Sequence, residues 1–180
     1  MRPPSPYSPI YDGRIHSGFF IFIRQLAAPS DQAILTRLGL DTYREAPRVS
    51  RFDRYIALCD VGEWTVIADD LRYSLYHAGT ARPALAELVP DHEIFVCVEG
   101  DADRSFEYQY FVNGVLARDC AVDSPLYSDR KVVRDVGAAS PGERELLQQD
   151  GDFIGLAVAE LLGIPTRVTP EALRIYAPPA

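Results

Sequence analysis

The sequence predicts an α+β fold, with an antiparallel sheet of about six strands and helices packed on one face. Short aromatic and β-branched runs follow one another between turn signals, and Asn113-Gly114 joins two of them as a tight hairpin. The C-terminal part of the chain instead carries helix start and stop signals. A length of 180 residues fits one domain that buries its own core, so we predict a single α+β domain over residues 14–180.

Residues 1–13 are rich in proline, with four prolines and two intervening tyrosines. This composition favours extended backbone over a packed element, which predicts a flexible Pro-rich tail. The alternative is a docking segment for an aromatic-lined groove.

In the first part of the domain, the sequence predicts a strand, a helix and a hairpin. The apolar block at 18–26 is typical of a buried strand. Ser30 then caps a helix that runs to about Leu38. Two short strands at 55–59 and 64–68 form the hairpin.

In the middle of the chain, the sequence predicts a short helix and a three-stranded meander. A capping threonine, an early proline and two leucines predict the helix at 80–89. The unbroken apolar run at 94–98 indicates a central strand that is covered on both faces. A two-residue turn at Asn113-Gly114 pairs the next two strands and gives a core-facing set: Phe106, Tyr108, Tyr110, Val112, Val115, Ala117, Asp119 and Ala121.

The C-terminal part predicts an irregular segment followed by three helices. Residues 123–136 are interpreted as a loop or irregular strand. Ser140 and Glu143 have capping-box spacing, which starts the first helix. The second helix spans about 152–162, and a short third helix runs from Thr169 to Tyr176.

Net charge is concentrated in one stretch. Residues 60–103 carry ten carboxylates against two arginines, and this excess of eight equals the net charge of −8 for the whole chain. An acidic field lowers the affinity for nucleic acids and anionic membranes, and it favours a basic protein or a cation as partner. No apolar run has the length of a membrane-spanning helix, and the N-terminus lacks a signal-peptide pattern, so we expect a cytoplasmic protein.

The sequence carries no nucleotide-binding motif and no nucleophile elbow. The three histidines lie far apart, and the three cysteines lack metal-ligand spacing, so we expect no bound cofactor. Each cysteine lies in a predicted strand, which indicates buried reduced thiols.

The first functional hypothesis is a non-enzymatic protein-binding module that uses an acidic surface to engage a basic protein partner. Its charges would speed encounter, and its aromatic residues would supply lasting affinity. The candidate residues are the carboxylates and aromatics of the acidic stretch: Asp60, Glu63, Trp64, Asp69, Asp70, Tyr73, Glu99, Asp101 and Asp103.

Two alternatives stay open. The segment from Glu99 through Asp101 to Asp103 follows a strand and resembles the Asp-x-Asp element of metal-dependent glycosyltransferases. Such carboxylates can hold Mg²⁺ or Mn²⁺ for phosphoryl or glycosyl transfer or hydrolysis, but a solvated charged turn between adjacent strands is the more common use of this pattern. The second alternative is a structural subunit of a homo-oligomer whose charge serves solubility.

Three segments carry a family resemblance. They are the Trp-bearing strand at 64–67, the aromatic meander with its Asn-Gly turn at 106–121, and the ending at 159–173. This pattern resembles small uncharacterised actinobacterial domains and the immunity proteins of bacterial polymorphic toxin systems. The resemblance implies an acidic α+β module that binds another protein, with toxin neutralisation as its sharpest form.

Overall fold

The structure is a computed structural model and describes residues 10–11, 14–15, 18–24, 30–46, 49, 53–70, 72–78, 93–100, 104–124, 129–149, 153–169 and 172–179. Most of the predicted tail and the predicted helix at 80–89 lie outside the described residues. Within the tail region, β1 (Ile10–Tyr11) pairs with β2 (Arg14–Ile15) as a small antiparallel sheet.

The main sheet has nine strands in the part of the chain that the structure describes. Their order across the sheet is β10-β9-β8-β7-β3-β6-β5-β11-β4, and every pair is antiparallel. The strands are β3 (Gly18–Arg24), β4 (Arg44–Glu45), β5 (Ile56–Val61), β6 (Trp64–Asp69), β7 (Glu93–Glu99), β8 (Phe106–Val112), β9 (Val115–Asp123), β10 (Lys131–Gly137) and β11 (Arg174–Ala177). The antiparallel α+β class is confirmed, but about six strands is too few, because β4, β10 and β11 were not predicted as regular strands.

Helices lie on both faces of this sheet. The described helices are α1 (Asp31–Arg37), α2 (Ser74–Ala78), α3 (Glu143–Gln148) and α4 (Ile154–Leu161). Phe19, Ile21 and Ile23 of β3 share a core with α1 and α2, whereas Phe20 and Phe22 share the opposite core with α4. The prediction of helices on one face is therefore wrong, because β3 is apolar at every inner position and needs cover on both sides.

Several local predictions are confirmed. The Ser30 hydroxyl accepts a hydrogen bond from the Ala33 amide at 3.3 Å and caps α1. Strand β7 lies between β3 and β8, in the interior of the sheet. Asn113 and Gly114 both adopt positive φ, as the tight turn between β8 and β9 requires.

The β8–β9 register differs from the prediction. Val112 pairs with Val115, but an irregularity between Tyr110 and Phe111 makes Tyr110 pair with Arg118 and Tyr108 with Cys120. One extra residue in β9 exchanges its two faces beyond that point. Arg118 consequently lies on the face of the sheet that packs against α4, together with Tyr108 and Cys120. Asp119, which was predicted to lie on the same face as Tyr108, lies on the other face of the sheet.

The predicted C-terminal helix at 169–176 is also wrong. Residues Arg174–Ala177 form β11, which inserts between β5 and β4. Successive side chains of a strand point to opposite faces of the sheet. Ile175 packs on the α4 side and Tyr176 on the α1 side, so this segment contributes to both cores as a strand. Its partners are distant in sequence, and no local signal marks them.

Candidate functional site

The structure separates the predicted binding residues into two groups at opposite ends of β6. Trp64 begins this strand and Asp69 ends it, and six residues of extended chain span about 17 Å. The first group is Asp60, Glu63 and Trp64; the second is Asp69, Asp70, Tyr73 and Glu99. Asp101 and Asp103 lie outside the described residues. The described candidates therefore do not form one acidic surface.

Asp69 and Asp70 are buried and hold the segment that leads into α2. Asp69 accepts hydrogen bonds from the amides of Leu75 and Tyr76 at 2.8 and 3.0 Å. Asp70 accepts from the amides of Arg72 and Ser74. Burial raises the pKa of Asp69 to about 6, while these N–H donors oppose the shift. Both carboxylates stabilise the local fold, and their burial keeps them from contacting a partner protein.

Glu99 is a buried carboxyl at the start of α4. Its Oε1 accepts a hydrogen bond from the Leu156 amide at 2.9 Å, and the Cys97 thiol lies 3.7 Å away. An added Cβ on Gly155 would come within 2.7 Å of both Glu99 Oε1 and Cys97 Sγ, so glycine permits this close approach. Burial raises the pKa of Glu99 to about 7.

The two aromatic candidates are held by the fold. Trp64 is 7 % exposed and belongs to the core under α4, so it is not a surface anchor. Tyr73 is partly buried, adopts φ +54°, and donates its hydroxyl to the Glu99 carbonyl at 3.0 Å. Tyr73 therefore connects the α2 region to the end of β7.

Asp60 and Glu63 are exposed, and both are paired. Arg24 contacts Glu63 at 2.9 Å and Glu93 at 2.7 Å, and Arg174 contacts Asp60 at 2.9 Å. Exposed ion pairs contribute little to stability, but they neutralise the local field. This end of the sheet is consequently less acidic than the sequence indicates.

A buried polar cluster that the sequence did not reveal joins β8, β9 and α3. Glu143 is fully buried, and its Oε1 accepts from the Tyr108 hydroxyl at 2.5 Å and from Arg118 Nε at 2.8 Å. Its Oε2 accepts from the Ser140 amide at 2.8 Å, which is the Glu half of the predicted capping box. Arg118 also contacts Asp135 at 2.6 Å. Each of these groups has a hydrogen-bond or ion-pair partner within the cluster, so we interpret the cluster as stabilising the fold.

Strand β10 is the longer of the two edge strands of the sheet that the described residues form. It has seven residues, whereas the opposite edge strand, β4, has two. Val132, Val133 and Val136 are 47–56 % exposed. The central charges of the strand are paired with residues of β9: Arg134 contacts Asp119 at 2.6 Å, and Asp135, itself 63 % exposed, contacts Arg118. The edge therefore presents exposed apolar side chains, one of which, Val133, lies at an irregularity in the pairing of β10 with β9. Such side chains offer apolar contact to a strand added at the edge.

The described residues give little support for a metal site or for nucleophilic catalysis. No group of three or more His, Cys, Asp or Glu side chains among them could hold a metal ion. Cys59, Cys97 and Cys120 are buried and free, and burial raises the pKa of each thiol, so they are poor nucleophiles at neutral pH.

Comparison of the chain with protein-family models, curated proteins and solved structures finds no match. No helix among the described residues has the length and apolar character needed to cross a membrane. The geometry defines an α+β protein with a two-sided core and one long exposed sheet edge.

Proposed function

We propose that this chain is a non-enzymatic protein-binding module that docks a basic partner protein along the free edge of β10. The observation that carries the proposal is the exposure of three valines on an edge strand whose own central charges are paired with residues of β9. Strand addition would satisfy the outer backbone groups of β10, and the valines would supply apolar contact.

The acidic character of the chain supports a basic partner. The net charge is −8, and salt at physiological concentration screens its field over about 8 Å. Because Asp69, Asp70 and Glu99 are buried, the acidic stretch acts mainly through steering, with Asp101 and Asp103 as its candidate contact residues. Neutralisation of a basic toxin in the cytoplasm is the sharpest form of this proposal.

The metal-enzyme alternative loses Glu99, the one member of its candidate ligands Glu99, Asp101 and Asp103 that lies among the described residues. Glu99 Oε1 is held by the Leu156 amide inside the core, which leaves Asp101 and Asp103 to form such a site. Calorimetry with Mn²⁺ and Mg²⁺ tests it, since a metal site requires binding that Asp101→Asn abolishes.

The test of the binding proposal begins with a partner captured from the native cell and then purified. Its association with the wild-type chain, Val133→Lys and Val115→Lys is measured by surface plasmon resonance. Lysine on an edge strand blocks strand pairing, so Val133→Lys should weaken binding by about tenfold or more. Val115 is 67 % exposed but lies on β9 beside the hairpin turn, so Val115→Lys is the matched control.

A double variant, Asp101→Lys with Asp103→Lys, tests the contribution of charge. We expect slower association at low salt with little change in the dissociation rate. A partner that binds Val133→Lys as tightly as wild type would overturn docking at β10. If solution mass shows a dimer that Val133→Lys abolishes, a second copy occupies the edge, and the homo-oligomer alternative replaces the proposal.

A further inference from the structure

Arg130 lies at the end of the sheet where β7 finishes and β8 and β10 begin. Its guanidinium carbon lies 5.2 Å from the centre of the Phe106 ring, a cation–π contact. Its Nη1 donates to the Gln149 carbonyl. These two contacts fix the plane of the guanidinium group between β8 and the end of α3.

The other edge of this guanidinium has no partner. Arg130 Nε and Nη2 are both closed to solvent without a hydrogen bond, and they are the only such side-chain nitrogen or oxygen atoms among the described residues. Buried polar groups in folded proteins are nearly always paired, and unpaired ones on a charged group are costly. Glu99 does not fill the gap, because neither of its carboxyl oxygens is a hydrogen-bond partner of Arg130 Nε or Nη2, and its Oε1 accepts from the Leu156 amide.

The chemistry of the vacant edge defines its ligand. Nε and Nη2 present two nearly parallel N–H donors, the arrangement that binds two oxygens of one carboxylate or phosphate group. We propose that Arg130, held by Phe106 and the Gln149 carbonyl, is the anchor of a binding site for a small oxyanion, a carboxylate or a phosphate. This inference does not rest on the proposed docking of a protein along β10.

The electrostatics of this region bear on how strongly an oxyanion would bind. The positive charge of Arg130 acts on Glu99 and lowers the pKa of that carboxyl against the larger effect of burial, so the guanidinium field reaches this region. A low local dielectric strengthens a charge-assisted pair relative to the same pair in water. The oxyanion would therefore bind through few contacts.

The test follows the Arg130 Nε–H signal by ¹H–¹⁵N NMR during separate titrations with inorganic phosphate and acetate. The signal is assigned by its loss in Arg130→Lys, and samples are incubated before measurement so that a closed site can fill. We expect a saturable shift of this signal in at least one titration. Binding monitored by the backbone signals around Phe106 should weaken about tenfold or more in Arg130→Lys, because lysine keeps the charge but cannot bind two oxygens in parallel.

Arg144, an exposed arginine on α3, supplies the matched control, and Arg144→Lys should bind as wild type does. A response to phosphate alone identifies a phosphate-bearing ligand, and a response to acetate alone identifies a carboxylate. No shift at tens of millimolar of either anion, or equal affinity in Arg130→Lys, would overturn the proposal. Unfolding curves of both variants verify that they fold.

Discussion

Arg118 and Glu143 form an ion pair that is almost fully closed to solvent, with Nη2 and Oε1 2.5 Å apart across 25 residues of sequence. Arg118 is 4 % exposed and Glu143 is fully buried. The pair connects β9 to α3, and the Tyr108 hydroxyl binds the same carboxylate oxygen. Loss of one partner of a buried ion pair destabilises the protein, because the remaining charge is buried without its counter-ion and without solvent.

Glu143→Gln should therefore lower the free energy of unfolding by about 3 kcal/mol, since it leaves the Arg118 charge without its buried counter-ion. Urea denaturation measures the change. Glu145→Gln is the control, because Glu145 is exposed on the same helix and should alter stability by less than about 0.5 kcal/mol. Equal effects of the two substitutions would show that the buried pair does not stabilise the fold.

The sequence predicted those elements whose signals are local. The apolar run of β3, the Ser30 cap of α1 and the Asn113-Gly114 turn each specify their structure through neighbouring residues, and all three are confirmed. Strand β11 could not be predicted in this way, because its partners in β5 and β4 lie more than a hundred residues earlier. Such long-range pairing is not encoded in any short window.

The candidate site was harder to predict than the fold. The carboxylates of the acidic stretch were visible as charge, but charge alone does not distinguish an exposed Glu63 from a buried Asp69 that binds backbone amides. The bulge in β9 moved Arg118 into the core, and a single extra residue there leaves no mark in the sequence pattern. Exposure of the β10 valines depends on the sheet ending at that strand, which is a property of the topology.

Asp31 should hold the C-terminal strand to α1. Its carboxylate accepts from Arg174 Nε at 2.5 Å and from the Tyr176 hydroxyl at 2.6 Å, and it lies in the first turn of the helix. Asp31→Asn should lower the free energy of unfolding by about 1–2 kcal/mol, because it removes these charge-assisted bonds and a favourable helix-dipole contact. Thermal unfolding beside Asp41→Asn, an exposed control, measures the effect; matching midpoints would contradict it.

Gly155→Ala should destabilise the contact between α4 and β7. The new methyl group would meet Cys97 Sγ and Glu99 Oε1, each at 2.7 Å, inside a closed core. Overpacking of this kind costs about 1–3 kcal/mol. Cys97→Ala removes one of the two obstacles, so a double-mutant cycle should show that the paired change is less destabilising than the sum of the single changes. Strict additivity would mean that the backbone shifts to accommodate the methyl group.

Glu99 should make the protein less stable as the pH rises toward neutrality. Burial raises its pKa in the folded state to about 7, against an ordinary value of 4.5 for an unfolded chain. Between these values the folded protein binds more protons than the unfolded chain, so stability is greatest below about 4.5 and declines as the pH passes through 7. The full decline from this residue is roughly 3 kcal/mol.

Glu99→Gln isolates this contribution, because the amide keeps an oxygen to accept from the Leu156 amide and does not ionise. Urea unfolding of both proteins between about pH 5 and pH 8 should show that the stability of Glu99→Gln relative to wild type increases with pH. Asp69 is present in both proteins, so its own titration cancels in the comparison. A constant difference across this range would mean that Glu99 is already ionised in the fold, and that the amides of α4 compensate for its burial.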